Sequence, residues 1–213
     1  FENELSKFIG CNYTIGVGNC TDGLEIAWQS IGLRDGDEVI CSSHTFIATA
    51  SSIIMAGGVP VPVEIGEDNL IDPQAIEEAI NSRTVGIMPT QLNGRTCDMT
   101  KIMSIANKYK LFVVEDAAQA LGSKFKGKHA GTFGDVGAIS FYPSKVMGCF
   151  GDGGVVITNN YNTYNKAFQL HDQGRDPKGN LKSWGRNSRL DNIQAAILSY
   201  QLKKYPEVIN RRR

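Results

Sequence analysis

A mainly parallel α/β sheet with helices on both faces is the fold this sequence predicts, and three features predict it. Short apolar runs rich in β-branched residues alternate along the chain with stretches whose apolar residues recur at helical spacing. Successive runs are joined by segments of about ten residues or more, the length a crossover between parallel strands requires. Chemistry-bearing residues gather where these runs end, and open α/β sheets bind their ligands at the carboxyl ends of their strands. With 213 residues, 41% of them hydrophobic, the chain can bury one sizeable core and reads as a single domain.

Taken in order, Phe1 to Ile9 spaces Phe1, Leu5, Phe8 and Ile9 like one face of a helix. Tyr13 to Val17 follows as a short strand, then Gly18 to Gly23 as a tight turn and Leu24 to Ile31 as a helix. Asp37 to Cys41 is the next strand, and Ser43 to Thr49 opens a helix. Val59 to Val63 is a strand, and Asp72-Pro73 starts a helix running through Ile80, with proline near the first position where its missing N–H costs nothing. Val85 to Met88 is a strand with the loop Pro89 to Gly94 at its end, and Met99 to Tyr109 is an amphipathic helix leading into the strand Leu111 to Glu115. Val136 to Phe141 and Val155 to Thr158 complete the strands, and Tyr161 to Leu170 is a helix. His171 to Asn187, rich in Gly, Asp, Asn and Pro, is too long and polar for a simple connector and reads as a functional or subunit-contact loop. Ile193, Ile197, Leu198 and Leu202 mark a final apolar helix, whose polar face continues into Arg211-Arg212-Arg213.

Composition narrows the function. Lysine and arginine total 22 and aspartate and glutamate total 22, a balance that argues for a small-molecule partner over nucleic acid or a membrane surface. Five scattered cysteines without a Cys-x-x-Cys spacing argue against a disulfide framework or a zinc site and point to a reducing cytoplasm. Val39 to Val63 carries no charged side chain, but the serines, His44 and prolines within it make it strand, helix and strand rather than a membrane span.

The chemistry concentrates between Phe112 and Lys145. Phe112 to Val114 runs into two carboxylates, Glu115 and Asp116, followed by small residues; a second strand is closed by Pro143 and a lone lysine, Lys145. That pair is placed to hold an aromatic, cationic cofactor from two sides. The same residues also read as a helix N-cap at Asp116 and a solvated loop lysine at Lys145. The turn at Thr21 and Asp22 equally admits two readings, a phosphate cup with free amides and a hydroxyl, or plain N-capping by either residue. Phe46, in a first helical turn, has burial in the core as its ordinary fate.

Glu115-Asp116-Ala117-Ala118-Gln119-Ala120, Gly131-Thr132-Phe133-Gly134-Asp135, Ser140-Phe141-Tyr142-Pro143-Ser144-Lys145 and Gly151-Asp152-Gly153-Gly154, in that order, resemble the DegT/DnrJ/EryC1/StrS family of sugar aminotransferases, and the likeness runs from Phe1 to Arg213. The resemblance implies the large domain of a fold-type-I enzyme of the aspartate aminotransferase kind, with pyridoxal 5'-phosphate as cofactor. It makes Lys145 the catalytic amine that bonds the cofactor and shuttles a proton, and Asp116 the partner of the ring nitrogen. Thr21 and the adjoining Asp22 amide hold the phosphate together with Ser140, Phe46 stacks on the ring and Gln119 meets the ring hydroxyl. Asn187 reaches the partner subunit's cofactor, which implies a homodimer with shared sites. Substrates by resemblance are an amino-acid donor, glutamate in most of the family, and a nucleotide-linked keto-sugar. Relatives that dehydrate sugars lack the lysine, so Lys145 favours transamination.

Two departures stand out. Gln91 and Asn93 occupy positions where the family more often has a histidine and an aromatic, which puts substrate preference in question, and Val146-Met147 replaces an asparagine and aliphatic pair, which bears on the neighbouring subunit. Family members continue into a smaller C-terminal domain, so residues 1–213 are expected to be the large domain cut at both ends. Two rival functions follow: another pyridoxal-phosphate reaction on amino acids, or a non-catalytic fragment that binds cofactor and dimerises.

Overall fold

The computed structural model describes residues 1–212, so of the terminal arginines Arg213 lies outside the described residues. Nine strands and seven helices alternate from the first residues on: α1 (Glu2–Ile9), β1 (Tyr13–Val17), α2 (Cys20–Ile31), β2 (Glu38–Ser42), α3 (Ile47–Met55), β3 (Val59–Val63), α4 (Pro73–Ala79), β4 (Thr84–Met88), α5 (Met99–Tyr109) and β5 (Phe112–Asp116). The hairpin β6 (Lys124–Phe125) and β7 (Lys128–His129) follows, then β8 (Val136–Ser140), β9 (Gly154–Thr158), α6 (Tyr161–His171) and α7 (Asn192–Arg212).

The main sheet has seven strands in the order β1-β9-β8-β5-β4-β2-β3. From β8 to β3 every pairing is parallel, as expected, whereas β9 runs antiparallel to both its neighbours, β8 and β1. Strands β8 and β9 are buried along their whole length, so their residues carry no alternation from which strand direction could be read. The reversal matters for the site, because it brings the start of β9 to the end of β8: Gly154 pairs with Ser140 on one side and with Val17 on the other. The far edge is β3, Val-Pro-Val-Pro-Val, whose prolines cannot donate to another strand and keep that edge closed.

Helices cover both faces. Val114, Val136, Ala138, Val156, Cys41 and Met88 share a core with Leu24, Ile26 and Trp28 of α2. Their sequence neighbours point the other way: Val113 and Ile87 pack with α5, Ile139 and Ile157 with Leu198 and Leu202 of α7. This period-two division sends Glu115 and Asp116 to opposite faces of the sheet. No helix among the described residues is long and apolar enough to cross a membrane.

The β6–β7 hairpin has no counterpart in the sequence reading, because two-residue strands leave no periodicity. Lys126 and Gly127, both at positive φ (48° and 83°), make its turn, the backbone that a two-residue hairpin loop demands. The hairpin carries His129 inward, where Nε2 accepts from the Gly122 amide at 2.7 Å and burial lowers the imidazole pKa.

Candidate active site

The carboxyl edge of the sheet encloses a cavity of about 540 Å³, with Thr21, Phe46, Asp116, Gln119, Ser140 and Lys145 all on its wall. Six residues from four separated stretches converge because β1, β8, β5 and β2 all end there and α2 and α3 begin there.

At one end lies the N-terminus of α2. Asn19 is its cap, accepting from the Asp22 amide at 2.8 Å, so neither Thr21 nor Asp22 caps the helix and it starts four residues before Leu24. Cys20 and Thr21 are thereby first-turn residues whose amides lie ahead of any intrahelical partner, an arrangement suited to an anion. Gly154 makes the approach possible, since a Cβ there would stand 2.7 Å from Asn19 C and Cys20 N. The Gly-Asp-Gly-Gly motif thus seats the helix start against β9.

Asp116 is also on the cavity wall. It is 4% exposed, with Oδ2 accepting from Thr49 Oγ1 at 2.6 Å and Oδ1 from the Ala118 amide at 3.1 Å. No helix follows it, and residues 117–122 turn instead, so Asp116 is a cavity carboxylate and not an N-cap. Burial pushes its carboxyl above the usual range, against the pull of Thr49, Ala118 and the Lys145 charge. Glu115, beside it, is fully buried on the other face. Gly131 N and Gln91 Nε2 donate to Oε2, both at 2.7 Å, and Phe133 N and Gly134 N donate to Oε1 at 2.6 and 2.9 Å. The Gly-Thr-Phe-Gly-Asp motif is a cradle for this carboxylate, and Gly131 turns into it at a φ of +87°.

Lys145 sits in the loop after β8, its amide on the Tyr142 carbonyl at 2.9 Å, with no hydrogen bond or ion pair from its ammonium to the described residues. Helix α7 holds this loop: Gln194 brackets Phe150 N and O at 2.8 and 3.0 Å, and Gln201 donates to the Gly148 carbonyl at 2.9 Å. Gln119 Oε1 accepts from Asn93 N at 2.8 Å, which orients the side-chain amide so that its NH₂ is the end left for a ligand. Phe46 precedes α3 and is 68% exposed, so it belongs to the rim and not to the core; the helix starts at Ile47, later than the sequence predicts.

The model of the DegT/DnrJ/EryC1/StrS aminotransferase family matches residues 1–213. The chain belongs to that family. It is 40% identical over 203 residues, covering 95% of this chain and 54% of the relative, to a dTDP-3-amino-3,4,6-trideoxy-alpha-D-glucose transaminase of Streptomyces venezuelae. A UDP-2-acetamido-2-deoxy-3-oxo-D-glucuronate aminotransferase of Pseudomonas aeruginosa is 41% identical over 209 residues, covering 98% of this chain and 58% of that protein. Among solved structures, NtdA of Bacillus subtilis with bound cofactor PMP superposes with a TM-score of 0.89 at 38% identity, over 96% of this chain and 47% of that one. The chain therefore spans about half the length of the relatives it matches.

Of the residues the family resemblance singles out, the structure brings Thr21, Phe46, Asp116, Gln119, Ser140 and Lys145 to one cavity. Asp22 and Asn187 are not on its wall. The Asp22 amide is taken by Asn19, and its carboxylate accepts from Ser188 Oγ at 2.6 Å and Arg186 Nη1 at 3.2 Å, with Arg186 reaching Glu25 as well. Asp22 thus ties the polar loop after α6 to α2. Asn187 is exposed on that loop, paired with Asp172. Gln91, one of the two departures from the family pattern, is fully buried between Glu115 and the Cys97 amide and faces the core. Met147 is buried in this chain's own core, 3% exposed, rather than presented to a neighbour. Sequence reading missed Thr49, the hydrogen-bond donor to Asp116, and Cys20, a cavity thiol that burial and Asp116 push well above its usual pKa. A threonine inside a helix carries no signal of its own; only the 67-residue separation closed by the fold reveals it.

Proposed function

We propose that this chain is the cofactor-binding part of a pyridoxal-phosphate-dependent aminotransferase that moves an amino group from an amino acid, glutamate, to a nucleotide-linked keto-sugar. The observation that carries this reading is the convergence of Lys145 and Asp116 on the wall of one cavity that also contains a helix N-terminus. These residues fit the cofactor's parts: the α2 amides with Thr21 and Ser140 suit its phosphate, Asp116 its ring nitrogen, Gln119 its ring oxygen and Phe46 its face. When bound, the cofactor supplies a conjugated ring that spreads the electron pair released at the substrate carbon.

The protein's part is binding and proton transfer. Asp116, ionised, holds a proton at the ring nitrogen by charge pairing in a buried setting. Lys145 would hold the cofactor through Nζ and, once freed by an amino donor, would take the proton from the donor's α carbon. The donor leaves as a 2-keto acid, and in the second half Lys145 delivers a proton to the sugar carbon that receives the nitrogen. Overall one carbonyl and one amine exchange places, so no external oxidant or reductant enters. The names of the relatives above support the substrate class, and their dTDP and UDP carriers differ. A homodimer with shared sites agrees with Asn187 lying exposed outside its own chain's cavity, and the free thiols of all five cysteines agree with a reducing cytoplasm.

Borohydride reduction of the protein loaded with pyridoxal phosphate, followed by peptide mass spectrometry, tests the assignment. Covalent cofactor on Lys145, absent from Lys145→Ala and lost when glutamate is added before reduction, is the expected result. No adduct, or an adduct on another lysine, would end the proposal; an adduct unaffected by glutamate but discharged by other amino acids without a sugar acceptor would favour a different reaction on the same fold.

A further inference from the structure

The Asp116 carboxylate is backed by a chain of hydroxyls drawn from three segments. Thr49 of α3, fully buried, donates to Asp116 Oδ2 at 2.6 Å; Thr49 Oγ1 lies 2.6 Å from Thr45 Oγ1, which lies 3.0 Å from Thr90 Oγ1 after β4. An ionised carboxylate only accepts, so the single Thr49 proton points to Asp116, and Thr49 can then only accept from Thr45, and Thr45 from Thr90. The whole chain is polarised toward the carboxylate. A proton on Oδ2 directed at Thr49 would make Thr49 accept there and donate to Thr45 instead, so the direction of the first links is tied to the charge of Asp116. In a site of low polarity, charge-assisted hydrogen bonds are the strong ones, and bonds in series reinforce one another.

We propose that Thr49, supported by Thr45 and Thr90, is a positioning residue that keeps Asp116 ionised and aims its remaining lone pairs at the ring nitrogen of the cofactor. The inference rests on the cofactor reading above. The titratable groups that interact with Asp116 are Lys145, whose charge acts in the same direction, and Cys20, whose thiol is held protonated by burial; Tyr142 and Asp152 share the cavity wall, and Glu115 faces away. Burial works against ionisation at Asp116, and Thr49 heads the influences that oppose it.

The test loads the wild type, Thr49→Val, Thr49→Ser and Thr90→Val with pyridoxal phosphate enriched in ¹⁵N at the ring, and follows the ring ¹⁵N shift and the dissociation constant against pH. Circular dichroism confirms the fold of each variant. Thr49→Val is expected to lose the ring-nitrogen proton at lower pH than the wild type and to bind about tenfold more weakly, the worth of one hydrogen bond to a charged group. Thr49→Ser, which keeps the hydroxyl, restores the wild-type titration, and Thr90→Val, two links away, shifts it in the same direction by less. Because Thr90 is the remote end, that variant carries the test if Thr49→Val does not fold. A ring nitrogen that titrates alike in the wild type and the folded valine variants would overturn the inference while leaving the cofactor reading intact; a wild type that binds no cofactor would overturn both.

Discussion

Glu115 and Asp116 are adjacent, chemically near-identical and both buried, yet they inhabit opposite conditions. Glu115 meets four N–H donors, three of them backbone amides from Gly131, Phe133 and Gly134. Asp116 meets two, and the rest of its carboxylate faces a cavity with an amine on its wall. Burial alone therefore does not distinguish a structural carboxylate from a functional one; the unspent hydrogen-bonding capacity does. A carboxylate saturated by its own chain holds the fold together, whereas one left partly unserved stores a desolvation cost that a cationic ligand relieves.

Replacing each member should break the pair apart in different ways. Glu115→Ala leaves four buried donors without an acceptor, and urea unfolding is expected to show a loss of about 3–5 kcal/mol, the usual result of removing one partner from a buried charged network. Asp116→Asn should leave urea stability undiminished without cofactor while weakening pyridoxal phosphate about 100-fold, measured by absorbance titration, since a neutral amide cannot pair with a charged ring nitrogen. Equal destabilisation by the two changes would remove the contrast drawn here.

Gln91→Leu sharpens it from the structural side. Glu115 Oε2 loses one donor and the Cys97 amide loses its acceptor, for an expected cost of about 1–3 kcal/mol in the same unfolding assay, with cofactor affinity unchanged. A change in affinity would show that Gln91 communicates with the cavity after all. The smallest effect is in pH. The Asp116 carboxyl is raised by burial in the native state above its unfolded value near 3.8, so between the two values the native state binds more protons. Wild-type stability relative to Asp116→Asn, without cofactor, should therefore improve as pH falls through the raised value and level off below the unfolded one. The opposite slope would mean that Thr49, Ala118 and Lys145 together outweigh burial.

Much of this molecule was legible beforehand. The strands Tyr13–Val17 and Val59–Val63 and the helix Met99–Tyr109 fall at the bounds read from the sequence, the helix because an amphipathic face writes its period directly into the residues. Six of the eight residues singled out by family resemblance share one cavity for a related reason: local motifs at strand ends are delivered to one edge whenever the sheet is parallel. What the sequence did not show was the partner that particular side chains find, near or far along the chain. The cap on α2 is Asn19 rather than Thr21 or Asp22, Asp22 answers to Arg186 and Ser188, and Gln91 answers to Glu115.

By itself, then, the sequence determined the alternation of elements and the parallel core of the sheet, because these follow from short-range periodicity, and its family resemblance named the candidate site residues. Only the tertiary structure decided that Glu115 is saturated by its own chain, that β9 runs antiparallel and presses Gly154 against the start of α2, and that three threonines line up behind Asp116. A hydrogen bond forms between atoms about 3 Å apart whatever their separation along the chain, and that proximity is a property of the packed sheet and helices rather than of any stretch of residues.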